Sequence, residues 1–253
     1  MSLQDDRLAV VIMAAGKGTR MNNPSMAKVM YEINGRPLVE WVVDLARRLR
    51  ASRTVVVVGW RKESVVAHLA RVSPSVVCVT QDPQLGTGHA VMQAEPVLQG
   101  FTGDVLVLSG DVPLLTEQTT RELIASHREK RVAATVLTAI PEDATGYGRV
   151  LRDREGNVTA IVEHKDATEE QRKVREINSG IYAFQAANLF EGLHEITPNN
   201  AQKEYYLTDV FEVFWRRKMS VAAVTARDPV EIGGINTPEQ LEEARRLLAG
   251  RES

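Results

Sequence analysis

The sequence has a single cysteine among its 253 residues, so no disulfide can form within the chain and no cysteine-based metal site can be built. That residue, Cys78, lies in the apolar run 76–79, and we expect it to be a small buried hydrophobe in a strand. A chain with so little cysteine chemistry suits a reducing compartment, and we expect it in the cytoplasm.

An excess of charge of one sign is also lacking, because 31 Lys and Arg residues nearly balance 33 Asp and Glu residues. Proteins that bind nucleic acid or anionic membranes through their overall charge carry a basic excess, so we expect neither as a partner. The apolar runs fall well short of the roughly 20 residues that span a bilayer. The acidic segment 1–7 has neither the basic start nor the apolar stretch of a signal peptide.

Apolar, β-branched runs alternate with segments of helical spacing through the first half of the chain. The predicted strands are 8–15, 54–58, 76–80 and 104–108, and the predicted helices are 36–49, 62–72, 87–98 (interrupted or ended near Pro96) and 116–130. This alternation is typical of a parallel sheet with helices on both faces. Right-handed crossovers would bring the carboxyl ends of these strands to one edge.

The second half changes character. Segments 148–151 and 158–162 flank a turn-rich stretch and predict a hairpin. A strand at 178–184, a helix at 206–218 and a strand at 221–225 should follow, and Thr237, Pro238 and Gln240 form a good helix start. Because no repeat or Pro/Ser-rich linker interrupts the chain, residues 1–253 are expected to form one α/β domain with a small β-rich lobe.

A glycine-rich segment, Gly16-Lys17-Gly18-Thr19-Arg20, directly follows the first predicted strand. Glycines allow backbone amides to approach phosphate oxygens closely, and the two cations add positive charge. The spacing is neither that of a Walker loop nor that of the dinucleotide fingerprint, which needs a further glycine or alanine where Met21 stands. The segment is therefore either a phosphate-binding loop of another class or an ordinary turn.

Two further segments follow predicted strands. Asp111, after the strand 104–108, would lie at the ligand-binding edge of the sheet, where a carboxylate suits Mg²⁺; a turn or capping aspartate is the alternative. The segment 81–90 carries Gly86-Thr87-Gly88 at a helix start, where amides and a hydroxyl can read a base or a phosphate. His89 in that first turn is more simply a structural residue than a catalytic base.

Six motifs occur in an order that resembles the pyrophosphorylase domain of the bacterial N-acetylglucosamine-1-phosphate uridylyltransferases, from about Leu8 to the last helix. They are Gly16-Lys17-Gly18-Thr19-Arg20-Met21, Gln84-Leu85-Gly86-Thr87-Gly88-His89-Ala90, Gly110-Asp111-Val112-Pro113-Leu114, Thr145-Gly146-Tyr147-Gly148-Arg149, Ile161-Val162-Glu163-His164-Lys165-Asp166, and Asn199 to Asp209. The resemblance implies a Rossmann-like nucleotidyltransferase fold with a mostly parallel sheet, helices on both faces and a small β-rich sugar-binding lobe.

The resemblance also implies a role for each matching residue. Catalytic contacts to the phosphates would come from Arg20 and Lys28, and Mg²⁺ ligands would be Asp111 and Asn236. The nucleotide would lie against Ala14, Ala15, Gly16, Gly18, Gln81, Gly86 and Thr87, and the sugar against Gly148, Glu163 and Asn178. Taken alone, Glu163 could instead be a solvated hairpin residue paired with Lys165, and Asn178 could simply bond backbone.

The chain departs from the family pattern in three places. Ser25-Met26-Ala27-Lys28 replaces the usual Leu-Pro-Lys in a loop one residue longer, which leaves the register of Lys28 open. Ser109 stands where the family often has tyrosine, and the acetyltransferase β-helix is absent from these 253 residues.

The implied reaction joins UTP to N-acetylglucosamine 1-phosphate and releases pyrophosphate. Another nucleotidyltransferase of the same fold, acting on glucose 1-phosphate, a polyol phosphate or a molybdopterin, is one alternative. A nucleotide-sugar sensor that binds without turnover is the other. The sequence does not indicate an oligomeric state.

Overall fold

The computed structural model describes residues 7–21 and 23–251. The strands are β1 (Leu8–Ala14), β2 (Glu32–Ile33), β3 (Arg36–Pro37), β4 (Arg53–Val58), β5 (Val77–Thr80), β6 (Asp104–Ser109), β7 (Ala134–Ala139), β8 (Arg149–Arg152), β9 (Val158–Val162), β10 (Ile177–Gln185) and β11 (Val221–Thr225). The helices are α1 (Leu38–Arg48), α2 (Lys62–Val72), α3 (Thr87–Met92), α4 (Glu95–Leu98), α5 (Glu117–Lys130), α6 (Glu169–Arg172), α7 (Ala186–Leu193), α8 (Asp209–Arg216) and α9 (Pro238–Arg251).

Among the described residues, nine strands form one twisted sheet, whose main path has the order β11-β7-β10-β6-β1-β4-β5. Strands β6, β1, β4 and β5 pair in parallel, as do β7 and β11. Strand β10 is antiparallel to both β6 and β7. The predicted α/β fold with a mostly parallel sheet is confirmed, and the sheet is mixed because β10 and the strands β8 and β9 pair antiparallel.

The core lies on both faces of the sheet because side chains alternate along each strand. Val10 and Ile12 of β1 are fully buried in one cluster, with residues of α1, whereas Val11 faces the opposite cluster. That second cluster contains Phe184 and Phe211, whose ring centroids are 5.8 Å apart. Truncating a buried aromatic of this kind to alanine costs on the order of 3–5 kcal/mol, so this cluster contributes substantially to the stability of the fold.

Several predicted elements differ in extent or were missed. The helix expected at 36–49 begins at Leu38 because β3 pairs with β2. The helix expected at 206–218 is α8, which begins three residues later, and the helix expected at 87–98 is split into α3 and α4. Strand β7 and helix α7 were not predicted. Cys78 is half-buried on the edge strand β5 rather than buried, and burial raises the pKa of its thiol.

The predicted hairpin is confirmed as β8 and β9, which pair antiparallel and attach to the sheet through β10. The predicted helix start is also confirmed: the Gln240 amide N–H donates to Thr237 Oγ1 at 3.3 Å, and Gln240 Oε1 accepts from the backbone of Asn236 at 2.8 Å. None of the helices in the described part of the chain is long and apolar enough to cross a membrane.

Candidate functional site

A cleft lies at the sheet edge where the parallel strands end. The pairing of β1 with β4 and β6 sets Ala14 level with Val58, and Met13 level with Ser109. The loops after these strands therefore leave the sheet side by side. They enclose a cavity of about 470 Å³, which is lined by Met13, Ala14, Ala15, Gly16, Lys17, Lys28, Val29, Gln81, Gln84, Gly86, Thr87, Ala90, Ser109, Asp111 and Glu204.

The loop after β1 is shaped by a close contact between Gly18 and Lys28. Gly18 has a φ of +61°, and a Cβ placed there would stand 2.6 Å from the Lys28 Cβ. Only glycine combines that backbone conformation with so close an approach. The contact brings the chain back on itself between Gly18 and Lys28, and it directs the lysine toward the cleft.

The Lys28 ammonium group joins two residues that are distant in the sequence. It donates to Asp111 Oδ2 and, at 2.9 Å, to Asn236 Oδ1. The side chains of Lys28 and Asp111 are each only 14% exposed, so the ion pair is largely shielded from water. Asn236 is held beside it because the Ile235 amide donates to the backbone oxygen of Asp111 at 2.9 Å.

The oxygens of Asp111 and Asn236 converge on one point, the position of the Lys28 nitrogen. A carboxylate and an amide oxygen are hard donors of the kind that Mg²⁺ prefers, and this ion usually takes one or two protein ligands together with phosphates and water. The described residues contain no group of three or more His, Cys, Asp or Glu that could hold a metal by themselves. The pair therefore fits an ion that arrives with a phosphate ligand.

The far side of the first cavity is formed by the loop between β5 and α3. Gln81 is 3% exposed, and its Nε2 donates to the Gly86 oxygen at 2.9 Å. Gly86 has a φ of +108° and packs so tightly that a Cβ would lie 2.6 Å from the Tyr205 oxygen. Thr87 Oγ1 accepts from the Leu207 amide at 3.0 Å, which leaves its hydroxyl proton available to a ligand.

His89 lies in α3 behind this loop and not on the lining of the cavity. Its Nδ1 lies 3.2 Å from Gln81 Nε2, and its Nε2 lies at the same distance from Gln93 Nε2. Burial lowers the pKa of His89, which favours the neutral ring. The structural interpretation of this histidine is therefore the better one.

A second cavity of about 200 Å³ adjoins the first, and the two share Met13, Thr87 and Ser109. Its lining is Met13, Thr87, Ser109, Gly146, Tyr147, Gly148, Glu163, Asn178, Ser179, Gly180, Tyr182 and Leu207. The hairpin lobe and the amino end of β10 supply much of it. Because β10 runs antiparallel to β6, its first residues lie at the same edge as the ends of the parallel strands.

The Glu163 carboxyl group is held at this second cavity by an uncharged donor. Thr208 Oγ1 donates to Glu163 Oε1 at 3.1 Å. Burial raises the pKa of Glu163 and Asp166 adds to the rise, while the Thr208 hydroxyl opposes it. Lys165 binds Gln202 instead, so the alternative of a solvated Glu163–Lys165 pair is not what the structure contains.

Asn178 and Gly148 complete the predicted group around Glu163. A Cβ on Gly148 would stand 3.4 Å from Glu163 Oε2 and 3.5 Å from the Asn178 Cβ, so glycine leaves room between these two side chains. Asn178 Nδ2 donates to the Tyr182 hydroxyl at 2.8 Å, and its Oδ1 accepts from the Gly180 amide at 3.1 Å. Asn178 therefore does form a hydrogen bond with the backbone, and it also lines the second cavity.

Most of the predicted site residues therefore meet in two adjoining cavities. Asn236 reaches the first cavity through Lys28, and Gly18 lies behind the loop. Arg20 is exposed and lines neither cavity. Burial raises the pKa of Tyr147, Asp111 adds to the rise and Arg20 opposes it, so both charges lie within electrostatic reach of the Tyr147 hydroxyl.

Sequence reasoning did not identify the residues that position this group. Thr208 and Tyr182 fix Glu163 and Asn178, yet they lie 45 and 4 residues away in the chain. The position of Thr208 at the start of a predicted helix gave no sign of that contact. Ser109, which departs from the family pattern, lines both cavities and so lies where they meet.

Comparison with known proteins places this architecture in a family. A family model described as the MobA-like NTP transferase domain matches residues 10–188. The chain is 50% identical over 245 residues to the bifunctional protein GlmU of Streptomyces avermitilis (96% of this chain, 51% of that protein). It is 46% identical over 244 residues to the GlmU of Pelotomaculum thermopropionicum (96% and 52%). The chain thus spans about half the length of the curated relatives that it matches.

A structural comparison gives the same fold at lower sequence similarity. The crystal structure of a UDP-glucose pyrophosphorylase complexed with UDP-glucose superposes with a TM-score of 0.75 at 19% identity, covering 97% of this chain and 99% of that one. Similarity at this level establishes the fold alone. The family match and the two GlmU relatives lead to one conclusion: the chain belongs to the MobA-like NTP transferase family.

Proposed function

We propose that this protein is a sugar-phosphate uridylyltransferase that makes UDP-N-acetylglucosamine and pyrophosphate from UTP and N-acetylglucosamine 1-phosphate. The observation that carries the proposal is the junction of two cavities beside the Lys28–Asp111 pair. One cavity suits a nucleotide and the other suits a sugar. The reacting phosphates would meet between them, where a cation position already exists.

The proposed nucleotide contacts follow from the shape of the first cavity. Ala14, Ala15 and Gly16 would lie along the nucleoside, because small residues leave space for it at the strand end. Thr87 offers a hydroxyl proton, the Gly86 segment offers backbone groups, and Gln81 offers a side-chain amide. All three line the first cavity, and the base would lie against them. Directional groups of this kind can distinguish uracil from the other bases.

The proposed sugar contacts follow from the second cavity. Glu163 can accept hydrogen bonds from sugar hydroxyls, and the Asn178 side chain can bond an N-acetyl group or a hydroxyl. Gly148 would leave the space that the substituent needs, since any larger residue would contact both of these side chains. The cavity shares Met13, Thr87 and Ser109 with the first one, so a sugar bound there would have its 1-phosphate toward the nucleotide.

The chemistry proposed is direct displacement at phosphorus. A phosphate oxygen of the sugar phosphate forms a bond to the α-phosphorus of UTP, while the bond from that phosphorus to the bridging oxygen breaks and pyrophosphate leaves with the electron pair. The attacking oxygen is already an anion, so no general base is required. The residues must instead align the two phosphates and neutralise the charge that develops.

Lys28 is the best-supported residue for that neutralisation, because its ammonium group lies at the cavity wall. Arg20, exposed at the end of the glycine-rich segment, would contact the leaving phosphates. Asp111 and Asn236 would hold Mg²⁺, which would supply positive charge to neutralise the phosphates. On ligand binding, the Lys28 ammonium would exchange its contact with Asp111 for one with a phosphate.

A coupled assay of pyrophosphate release tests the proposal. UTP with N-acetylglucosamine 1-phosphate should give Mg²⁺-dependent turnover well above that with glucose 1-phosphate, a polyol phosphate, or another nucleoside triphosphate. Preference for glucose 1-phosphate would support a different enzyme of the same fold. Binding of UTP without release of pyrophosphate would support a sensor, which the intact set of Arg20, Lys28 and Asp111 does not favour. A cytoplasmic location belongs to the same proposal, because nucleoside triphosphates are made and kept there.

A further inference from the structure

The first cavity contains a buried side-chain amide, Gln81, whose orientation is fixed from behind. Gln81 is 3% exposed and lines the cavity. Its Nε2 donates to the Gly86 oxygen at 2.9 Å and lies 3.2 Å from Nδ1 of His89. An amide NH₂ group has two protons, and these two contacts account for both. The Oε1 is therefore the side-chain atom of Gln81 that remains for a ligand.

The contact with Gln81 requires one particular tautomer of His89. A neutral imidazole has one acceptor nitrogen and one N–H group, and burial lowers the pKa of His89, which favours the neutral ring. Nδ1 faces the NH₂ group of Gln81, and Nε2 lies 3.2 Å from the NH₂ group of Gln93. The ring can therefore accept a hydrogen bond from only one of these two amides.

Burial decides which amide takes the lone pair of His89. An unmet donor costs most where water cannot reach it. Gln81 is almost completely buried, whereas Gln93 is only partly buried, already donates to the His89 backbone oxygen at 2.9 Å, and can bind water. The lone pair therefore belongs on Nδ1, and Nε2 carries the proton. With Nδ1 as an acceptor, the Gln81 amide cannot turn over, because Oε1 in the place of Nε2 would face two acceptors.

We propose that His89 is a positioning residue that selects a uracil base over a cytosine base by holding Gln81 with its Oε1 toward the ligand. A carbonyl oxygen accepts a hydrogen bond from N3–H of uracil, whereas N3 of cytosine has no proton and presents a lone pair. His89 itself touches neither the nucleotide nor the reacting atoms. The placement of the base against Gln81 rests on the proposed function; the orientation of the amide does not.

Binding of UMP and of CMP to the full chain, measured by calorimetry, tests this role without any need for turnover. Wild type should prefer UMP, and His89→Leu, which has no lone pair, should reduce that preference about 5-fold, the contribution of one neutral hydrogen bond. His89→Asn should preserve most of the preference, because Oδ1 of asparagine takes the place of Nδ1. His89→Gln carries its acceptor at the place of Nε2 and should behave as His89→Leu does.

Two controls separate the acceptor from the packing of the ring. Gln93→Leu removes the contact at the other ring nitrogen and leaves Gln81 untouched, so the preference for UMP should be that of wild type. The ribonucleotide of thymine presents the same N3–H as UMP, so its affinity relative to UMP should be the same in every variant. Circular dichroism reports whether each variant folds, and the comparison of His89→Asn with His89→Gln carries the test if His89→Leu does not fold.

The results distinguish the role of His89 from the proposed function. If wild type binds UMP no better than CMP, or if His89→Asn and His89→Gln have the same preference, His89 does not select the base, even in an active uridylyltransferase. An equal loss in Gln93→Leu would point to the packing of the ring and would also overturn the role. If the preference depends on His89 as expected but UTP is not turned over, the positioning role stands, and the proposed function is wrong.

Discussion

Lys28 donates hydrogen bonds to both Asp111 and Asn236, and so joins three parts of the chain separated by 83 and 208 residues. Both partner oxygens face the same cation, so the structure already has a position for positive charge between Asp111 and Asn236. In the absence of substrate, the lysine compensates the Asp111 carboxylate. A phosphate ligand would offer the lysine a second partner, and a divalent ion could then take its place between the oxygens.

Replacement of Asp111 tests the role of that position. We expect Asp111→Ala to keep its fold, since Asn236 still binds Lys28, but to lose on the order of 10²-fold or more in turnover, as is typical when a charge-stabilising group is removed. Steady-state pyrophosphate release across a range of Mg²⁺ concentrations is the measurement. Asp153→Ala, at the turn of the β8–β9 hairpin, is the control and should stay near wild type. Turnover close to wild type in folded Asp111→Ala would exclude Asp111 as a metal ligand.

Replacement of Gly18 tests whether the loop must approach Lys28 closely. Gly18→Ala would place a methyl group 2.6 Å from the Lys28 Cβ and would displace the lysine. We expect a loss of turnover of about 10²-fold, the order expected when a catalytic group is misplaced by about 1 Å. Gly100→Ala is the matched control: its φ is +72°, and nothing lies within 4 Å of the new Cβ.

Both glycine variants should lose about 1 kcal/mol of stability from the positive φ alone, as measured by denaturant unfolding. Only Gly18→Ala should lose activity. Equal activity in the two variants would mean that the contact between Gly18 and Lys28 does not matter for function.

Replacement of Thr208 tests the charge state of Glu163. The Thr208 hydroxyl stabilises the ionised carboxylate, so Thr208→Val should raise the pKa of Glu163 further above its ordinary value. If ionised Glu163 accepts the sugar hydroxyls, KM for the sugar phosphate should rise about 10-fold at mildly acidic pH, the loss expected for one hydrogen bond to a charged group. The effect should shrink as pH rises, with kcat little changed.

Thr159→Val on the exposed face of the hairpin is the control for this experiment, since its hydroxyl donates to the Leu151 backbone oxygen and lies away from Glu163. It should leave the pH profile of KM unaltered. A pH-independent change in Thr208→Val would point to altered packing rather than to the ionisation of Glu163.

The first turn of α8 should make stability depend on pH. Burial, together with the negative charge of Glu212, Glu163 and Asp166, raises the pKa of Asp209 from 3.8 to about 6. The folded state therefore binds this proton more tightly than the unfolded state, and the carboxylate costs stability as pH rises through about 6. Asp209→Asn should raise Tm at pH 7 by more than at pH 5, with little difference near pH 4.

Asp153→Asn provides a control of opposite sign. Hydrogen bonds from Asn157 hold the pKa of Asp153 below its ordinary value, so its ionised form stabilises the fold. Its replacement should lower Tm at pH 7, or leave it unchanged, since the group is fully exposed. A Tm gain in Asp209→Asn that is the same at pH 5 and pH 7 would show that ionisation is not its cause. Thermal melts followed by circular dichroism provide the comparison.

The parallel half of the sheet could be predicted because β1, β4 and β6 are short apolar runs, each followed by glycine or a polar residue. Strand β7 could not. Its residues are all buried, and α5 ends before it at Lys130, where Arg131 follows with a φ of +51° and no glycine or proline marks the boundary. The antiparallel insertion of β10 was also hidden, since pairing direction depends on the route of the preceding chain and not on the strand's own residues.

The candidate site, like the sheet, could be predicted from the sequence only in part. Asp111 and the glycine-rich loop could be brought together from the sequence, because carboxyl ends of parallel strands meet at one edge. The contact of Gly86 with Tyr205 could not, since it joins segments more than 100 residues apart through an irregular loop. Nor could the pairing of Lys28 with Asp111, because the loop before Lys28 follows no regular pattern that sets the direction of its side chain.

The arrangement of the two cavities can be checked in a crystal structure of the full chain with UDP-N-acetylglucosamine and Mg²⁺. We expect the uracil beside Gln81 and Thr87, the sugar between Glu163 and Asn178, and the diphosphate across the junction, with the metal on Asp111. A ligand bound with its sugar outside the second cavity, or with its phosphates remote from Asp111 and Lys28, would contradict it.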